Sequence, residues 1–480
     1  ERLVEHGDAD DAFARMAAHL ATICARGRDA WRGIGQREWF LQVDAEQDNI
    51  RAAFEWALGA SEKELAVAMA ADLAYDRWIA GGVAEGLRWL DEAFALPGDL
   101  EAFTEGWARF WRAFVAFVSG DRDRNDEQFD EALALLHANA DPVFVAYALS
   151  FYSQLVDATG RRQKAIALNH EMLDELAATT DPWAGPATQW ARAALAIQER
   201  DDFDAFEAGL REAMEGYRSI GDQFMTAVCL DLGAELAESR GDLDAAIVAL
   251  GEALEIVGGW RMKSFEAGLL ARRARAAVQR LDGDAETSVA RALVRSEDVV
   301  FRPGRAIALN ALANLRRREG RLAEAQDAAN EALALYRAAP ALRFSSSFSR
   351  AATPFDVPVG AASALSVLGF VAEARGDADE AIERHRAAYR EVAAFPHPRT
   401  MAVSLEGLAA AAVLSGELER AAHLLGCSAH LRTAFDAAAT PAEQDDVRRS
   451  EEAAVAGLGP DAYDAARRSG ATTSPDDLVT

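Results

Sequence analysis

Cysteine is scarce in this chain. The three that occur in 480 residues, Cys24, Cys229 and Cys427, stand far apart with no paired spacing. This excludes a disulfide-stapled scaffold and fits a reducing compartment. Positive charge is short as well, with 50 Lys and Arg against 78 Asp and Glu and a formal net charge of −28. Most of such a surface repels a phosphate backbone, so direct nucleic-acid contact is not expected. No apolar run approaches the length of a membrane span and no secretory leader precedes the first helical pattern, so neither a membrane nor export is expected and a cytoplasmic location is. Catalytic signatures are missing too. There is no GxxxxGK[ST] after a strand and no GxSxG elbow, and paired carboxylates carry no information in so acidic a chain. The expectation is a chain that is not an enzyme and carries no cofactor.

A repeat is what the chain does have. The stretch Ala234 to Glu255, AELAESRGDLDAAIVALGEALE, reads as a helical hairpin. Its first helix ends at Arg240, Gly241 makes the turn, and Asp242 caps the second helix. Leu243, Ala246, Ile247, Leu250 and Leu254 then form one apolar stripe. A single hairpin cannot bury that stripe, whereas stacked copies can. Equivalent turns fall at Gly81, Gly120, Gly160, Asp201, Gly241, Gly283, Gly320, Gly376 and Gly416, in steps of 39, 40, 41, 40, 42, 37, 56 and 40. Seven positions before each turn stand Ala74, Ala113, Ser153, Ala194, Ala234, Ala276, Ala313, Gly369 and Ala409, all small. Twelve positions after it the residue is small except at Met172 and Arg295. Small side chains at fixed registers let neighbouring helix backbones approach closely. The pattern predicts an all-α fold, a right-handed α-solenoid of tetratricopeptide-like hairpins.

Taken in order, residues 1–60 read as helices leading into the array, with a Gly-punctuated loop, RGIGQ, before a helix pair over Trp39 to Leu58. The missing initiator methionine suggests a piece of something longer. Residues 61–438 hold the hairpins, interrupted at 340–360 by a Pro- and Ser-rich insertion that reads as a mobile excursion or as a fold over a groove. Residues 439–480 read as a polar closing helix, a short partner and a frayed tail.

In stacked hairpins the first helices line one side, and positions thirteen, ten, six and three before the turn face it. Early in the array these are Tyr75, Trp78, Trp107, Phe110, Phe114 and Phe117. Later they are Asp231, Glu235, Glu238, Arg273, Arg280, Asn310, Asn314, Arg317 and Glu406. One end of the groove is therefore expected to be aromatic and the other polar. Asn310 and Asn314 could hold a peptide backbone, and Arg273 and Arg317 could meet a carboxylate or phosphate. The bland alternative is an aromatic core stripe and a solvated face. The sharpest metal pattern is His423, Cys427 and His430 in HLLGCSAH, which lacks a fourth ligand, so no metal is expected. His6, His19, His137, His170, His385 and His397 form no spaced cluster.

The run DAEQDNIRAAFEWAL, the following WIAGGVAEGLRWLDEAFAL, the RGDLDAAIVALGEALE-type hairpins and the ending ERAAHLLGCSAHLRTAFDAAATPAEQDDVRRSEEAAVAGLGPDAYDAARRSG together carry a resemblance. It is to the tetratricopeptide-like C-terminal sensor region of bacterial STAND-type transcriptional regulators, the LuxR-type and antibiotic-regulatory proteins. The resemblance covers nearly the whole chain, with a repeat step nearer 40 than the usual 34. It implies an effector-sensing and assembly surface that binds a small molecule, peptide or protein in the groove, able to self-associate as a homo-oligomer, while ATP and DNA belong to other parts of such a regulator. A constitutive scaffold for protein–protein interaction is the other reading.

Overall fold

The computed structural model describes residues 9–119, 125–200, 202–260, 262–298, 302–338, 357–393 and 397–479, and every regular element among them is a helix. Four helices lead in: α1 (Ala9–Ala25), α2 (Gly27–Ala30), α3 (Gln36–Ala45) and α4 (Gln47–Gly59). Hairpins follow as α5/α6 (Lys63–Ile79, Val83–Phe94), α7/α8 (Ala102–Ser119, Asn125–Asn139), α9/α10 (Pro142–Ala158, Arg162–Ala177) and α11/α12 (Ala184–Arg200, Phe203–Ser219). Next come α13/α14 (Gln223–Ser239, Leu243–Val257), α15/α16 (Lys263–Arg280, Ala285–Asp298) and α17/α18 (Arg302–Arg318, Leu322–Ala338). The last are α19/α20 (Val357–Ala374, Ala378–Ala393) and α21/α22 (Pro398–Leu414, Leu418–Ala434), closed by α23 (Pro441–Leu458), α24 (Pro460–Gly470) and α25 (Pro475–Val479). The fold is an all-α solenoid of stacked hairpins. It divides into two compact units: unit 1 holds residues 1–157, 161–229 and 256–265, and unit 2 holds 158–160, 230–255 and 266–480.

The turns follow one chemistry. At Gly241 the backbone is left-handed with φ 80°; its N–H bonds the carbonyl of Glu238 at 3.0 Å, and the next N–H, of Asp242, reaches back to Ala237 at 2.8 Å. That pair satisfies two carbonyls at the helix end, and glycine adopts the required φ at no steric cost. Asp242 then caps α14 by accepting from the Ala245 N–H at 3.0 Å. Gly81, Gly160, Gly320, Gly376 and Gly416 share the positive φ. The expected turns at Gly120 and Asp201 lie outside the described residues.

Gly283 is a correction. The left-handed residue of that turn is Leu281, φ 65°, and the N–H of Asp282 makes the long bond to Ala277 at 3.0 Å. The turn is fixed by its 6→1 hydrogen bond, not by the nearest glycine. With Leu281 in place the steps around it become 40 and 39, so the repeat is more regular than the glycines alone suggest.

The small residues sit where close approach needs them. Ala74, Ala234, Ala313 and Ala409 are wholly buried. Among the partners twelve residues after the turn, Ala93, Ala132, Ala213, Ala253, Ala332 and Ala388 are wholly buried too. On α14, Leu243, Ala246 and Leu250 are buried, each Leu contributing about 2 kcal/mol by its removal from water.

Three further expectations change. Residues 357–360 belong to helix α19, because Val357 and Val359 pack on the apolar cluster around Leu365 and Tyr336; residues 340–356 lie outside the described residues. The tail is not frayed as far as residue 479: α25 docks on unit 2, with Val479 buried and Asp476 accepting from the Tyr389 hydroxyl at 2.8 Å. Helix α19, finally, is long and apolar enough to cross a membrane by length and composition, yet 61% of it is buried in the hairpin stack.

Candidate functional site

In unit 1 the first helices α5, α9, α11 and α13 share one face, and the segment between α1 and α3 fills it. Gly27 begins this segment, pressed so close to the Trp39 indole that a Cβ would lie 2.5 Å from it. Trp31, 2% exposed, stands among Tyr75, Trp111, Trp107, Trp39 and Tyr147 at centroid distances of 4.9 to 6.1 Å. Polar ties hold its flanks. Arg28 makes two bonds to the buried Asp72 at 2.6 and 2.8 Å. Gln36 donates to the Trp31 carbonyl and to Asp222 Oδ1, and accepts from the Phe224 N–H. Asp222 is wholly enclosed, and burial pushes its carboxyl up to about 7 against the hydrogen bonds of Met225 N–H and Gln36.

Of the aromatic candidates, Trp107, Phe110 and Phe114 are at most 2% exposed and lie within this ring cluster. Tyr75 and Trp78 instead line a cavity of about 110 Å³ with Trp31, Tyr147, Phe151 and Tyr217.

In unit 2 the first helices α13, α15, α17, α19 and α21 line a single groove that extends to α23. Asn314 and Arg317 line it, as do Glu235, Glu238 and Glu406. Asn310 is buried beside it, donating to the Gly360 carbonyl at 3.1 Å. Arg273 does not line the groove; Arg275 does, paired with Glu238. Six positions before Leu281 stands Arg275, where the same count from Gly283 gives Ala277, and ten positions before Leu281 stands Ala271 in place of Arg273, so one displaced turn accounts for the difference.

The groove holds a segment of the chain itself. Thr440 caps α23 in a capping box with Glu443, Pro441 occupies the first turn, and the Thr440 hydroxyl donates to Gln279 Oε1 at 2.8 Å. Asp446 accepts both Nη groups of Arg317, at 3.1 and 2.8 Å, and one from Arg318 at 2.8 Å. Glu443 accepts from Arg399 at 3.0 Å and pairs with Arg432 at 3.2 Å, while Arg432 also grips Glu406 at 2.7 and 2.8 Å. Arg399 further donates to the Glu238 carbonyl, and Gly241 leaves room for Ala438, whose carbonyl oxygen would lie 2.7 Å from a Cβ there.

These contacts set the charge states. Burial raises the carboxyls of Glu443 and Asp446, but Arg399 with Arg432, and Arg317 with Arg318, outweigh it and hold both below the usual range. Burial lowers the Arg318 guanidinium. His397, on the groove wall, is pushed down to about 3 by burial and then by Arg399 and Arg275, so it stays neutral. Sequence reasoning found the closing helix but missed Arg318, Arg399, Arg432 and the docking of that helix in the groove. The capping-box letters TPAE at 440–443 announce a helix start, but nothing local says where that helix docks.

Among the described residues no group of three His, Cys, Asp or Glu side chains is placed to share a metal ion. Cys427 is buried against the Thr473 carbonyl, and His423 bonds its own helix at Glu419.

No family model matches the chain, and no curated protein does. Among solved structures it is similar to the TPR domain of P58(IPK), at 14% identity and a TM-score of 0.24 over 82% of this chain and 99% of that one. It is also similar to a circular tandem repeat protein with novel repeat topology and enhanced subunit contact surfaces, at 15% identity and a TM-score of 0.18 over 93% of this chain and 99% of that one. Likeness of that degree carries nothing about function, and the hairpin solenoid stands on the chain's own turns and registers.

Proposed function

We propose that this chain is the effector-sensing and protein-interaction region of a bacterial STAND-type regulator, and that the groove of unit 2 is its partner-binding site. The observation that supports it is the occupant. An acidic helix start, Thr440 to Asp446, lies in the groove with Arg317, Arg318, Arg399 and Arg432 around its carboxylates. Arginine forks suit carboxylates, and a helix start adds its own N–H groups and dipole to the recognition. A partner presenting an acidic segment uses the same arginines in place of the chain's own. Such exchange shifts the population from a closed to an open groove by the difference in contacts made in each state.

A peptide of sequence TPAEQDDVRR, titrated by fluorescence anisotropy against the whole chain, tests this. The wild-type chain binds it weakly because the groove is filled, and the double variant Glu443→Gln/Asp446→Asn binds at least about tenfold tighter, corresponding to about 1.4 kcal/mol. Adding Arg317→Ala removes the gain. Equal and negligible binding by a folded double variant sinks the proposal and favours the scaffold reading, in which the fully paired latch never opens. A nucleotide-binding module in the same reading frame supports the regulator over the adaptor.

A further inference from the structure

The cavity of unit 1 plays no part in that reading and stands independently of it. Its floor is buried: Trp31 is 2% exposed and Tyr217 wholly enclosed. Its mouth is partly open at Trp78, Phe151 and Gln154. No charged side chain lines it. At about 110 Å³ it approaches the roughly 150 Å³ of an apolar cavity known to take a benzene ring.

The hydrogen-bond inventory narrows the occupant. The Ser150 hydroxyl donates to the Tyr147 carbonyl at 2.7 Å, and the Gln154 amide donates to the Ser150 carbonyl at 2.8 Å. The Tyr217 hydroxyl has no partner among the described residues, whereas the unpartnered Trp31 indole N–H lies against Gly27, which does not line the cavity. Buried donors left without acceptors are costly. The floor thus offers a donor at Tyr217, and the walls offer aromatic faces that favour offset stacking or edge contact with another ring. An anion would find no cation on the walls, and an aliphatic body would leave the Tyr217 donor orphaned.

We propose that this cavity binds a small, neutral, planar ring carrying a hydrogen-bond acceptor on its edge, with the rings of Trp31, Tyr75, Trp78 and Tyr147 around it and Tyr217 donating to the acceptor. Acetophenone, toluene and tetramethylammonium, each titrated against the whole chain by tryptophan fluorescence and calorimetry, provide the test. Acetophenone quenches saturably and binds about five- to tenfold tighter than toluene, the worth of one hydrogen bond to a buried donor. Tyr217→Phe brings the two ligands level, and Val228→Trp, at the partly open side, abolishes binding of both. The latch variant Glu443→Gln/Asp446→Asn changes neither. Absence of saturable binding, an acetophenone preference that survives Tyr217→Phe, or tighter binding of tetramethylammonium, which would make the site a cation cage served by Asp222, each overturns the proposal.

Discussion

The two units solve one problem by opposite chemistry. Each stacks the first helices of its hairpins into a shared face, and each covers part of that face with a stretch of chain outside the hairpins. Unit 1 uses an indole, Trp31, packed among rings. Unit 2 uses a helix start whose carboxylates meet four arginines. An apolar filler gains mainly from removal from water, which is insensitive to pH and hard to exchange for a polar partner. An ionic filler gains little over a competitor of the same charge pattern, since buried pairs carry heavy desolvation costs. The first suits permanence and a small ligand, the second exchange.

The largest test of the contrast is Trp31→Ala. Removing a buried indole leaves a hole worth about 4 kcal/mol, so protection of unit 1 amides from hydrogen exchange falls steeply while unit 2 amides hold theirs. Asp446→Ala is expected to remove about 3 kcal/mol from unit 2, since Arg317 and Arg318 are left half-paired in a buried setting. Loss of protection should then appear first in α23. An equal loss in both units from either variant would erase the distinction.

Acidity acts on buried groups with both signs: in unit 2 burial raises the carboxyl of Glu235, as it does that of Asp222 in unit 1, and lowers two histidines. His385 and His397 in unit 2 are held near 3 by burial, so the unfolded chain takes up their protons first, from about pH 6.5 downward. Each histidine therefore withdraws stability from unit 2 as pH falls from about 6.5 toward 3. The depressed carboxylates Glu443 and Asp446 keep their contribution above about pH 4.4 and lose it only below. Asp222 in unit 1 runs the other way: its folded value of about 7 lies above the unfolded one, so stability is present at low pH and falls as pH rises from about 4 to 7. Asp222→Asn should flatten that slope, so that protection of unit 1 amides between about pH 5.5 and 7.5 falls less in the variant than in the wild-type chain.

The smallest effects come from the turns. Leu281→Gly relieves a left-handed leucine and should stabilise unit 2 by about 0.5–1 kcal/mol in a thermal melt. Gly241→Ala should cost about 1–2 kcal/mol, because it strains the turn and presses on Ala438, loosening the ionic filler more than the hairpin.

What could be read in the sequence was what short-range physics writes there. Turn glycines, small residues at fixed offsets and the helix pair over Trp39 to Leu58 are local consequences of hairpin geometry, and they reappear in the structure. The positions of Asn314 and Arg317 followed from counting along one helix. Arg275 was lost because the count started at Gly283, where composition points but the backbone does not turn. The fillers were not legible. Arg317 and Asp446 are 129 residues apart and Gln36 and Asp222 are 186 apart; no periodicity reports a pairing across such distances. RGIGQ looks like any loop until Trp31, just ahead of it, is seen among its rings.

His385 shows how far one side chain can bind others' identities. Its ring is wholly buried 4.7 Å from that of Phe370, and it occupies space that two glycines vacate: a Cβ on Gly369 would fall 2.5 Å from Nε2 and one on Gly407 2.0 Å from Cε1. An alanine at either glycine is therefore barred while the imidazole stays, and becomes welcome once it goes. The three positions behave as one heritable trait spread over three helices, so sequence drift through this part of the solenoid must move by concerted exchange and not by single steps.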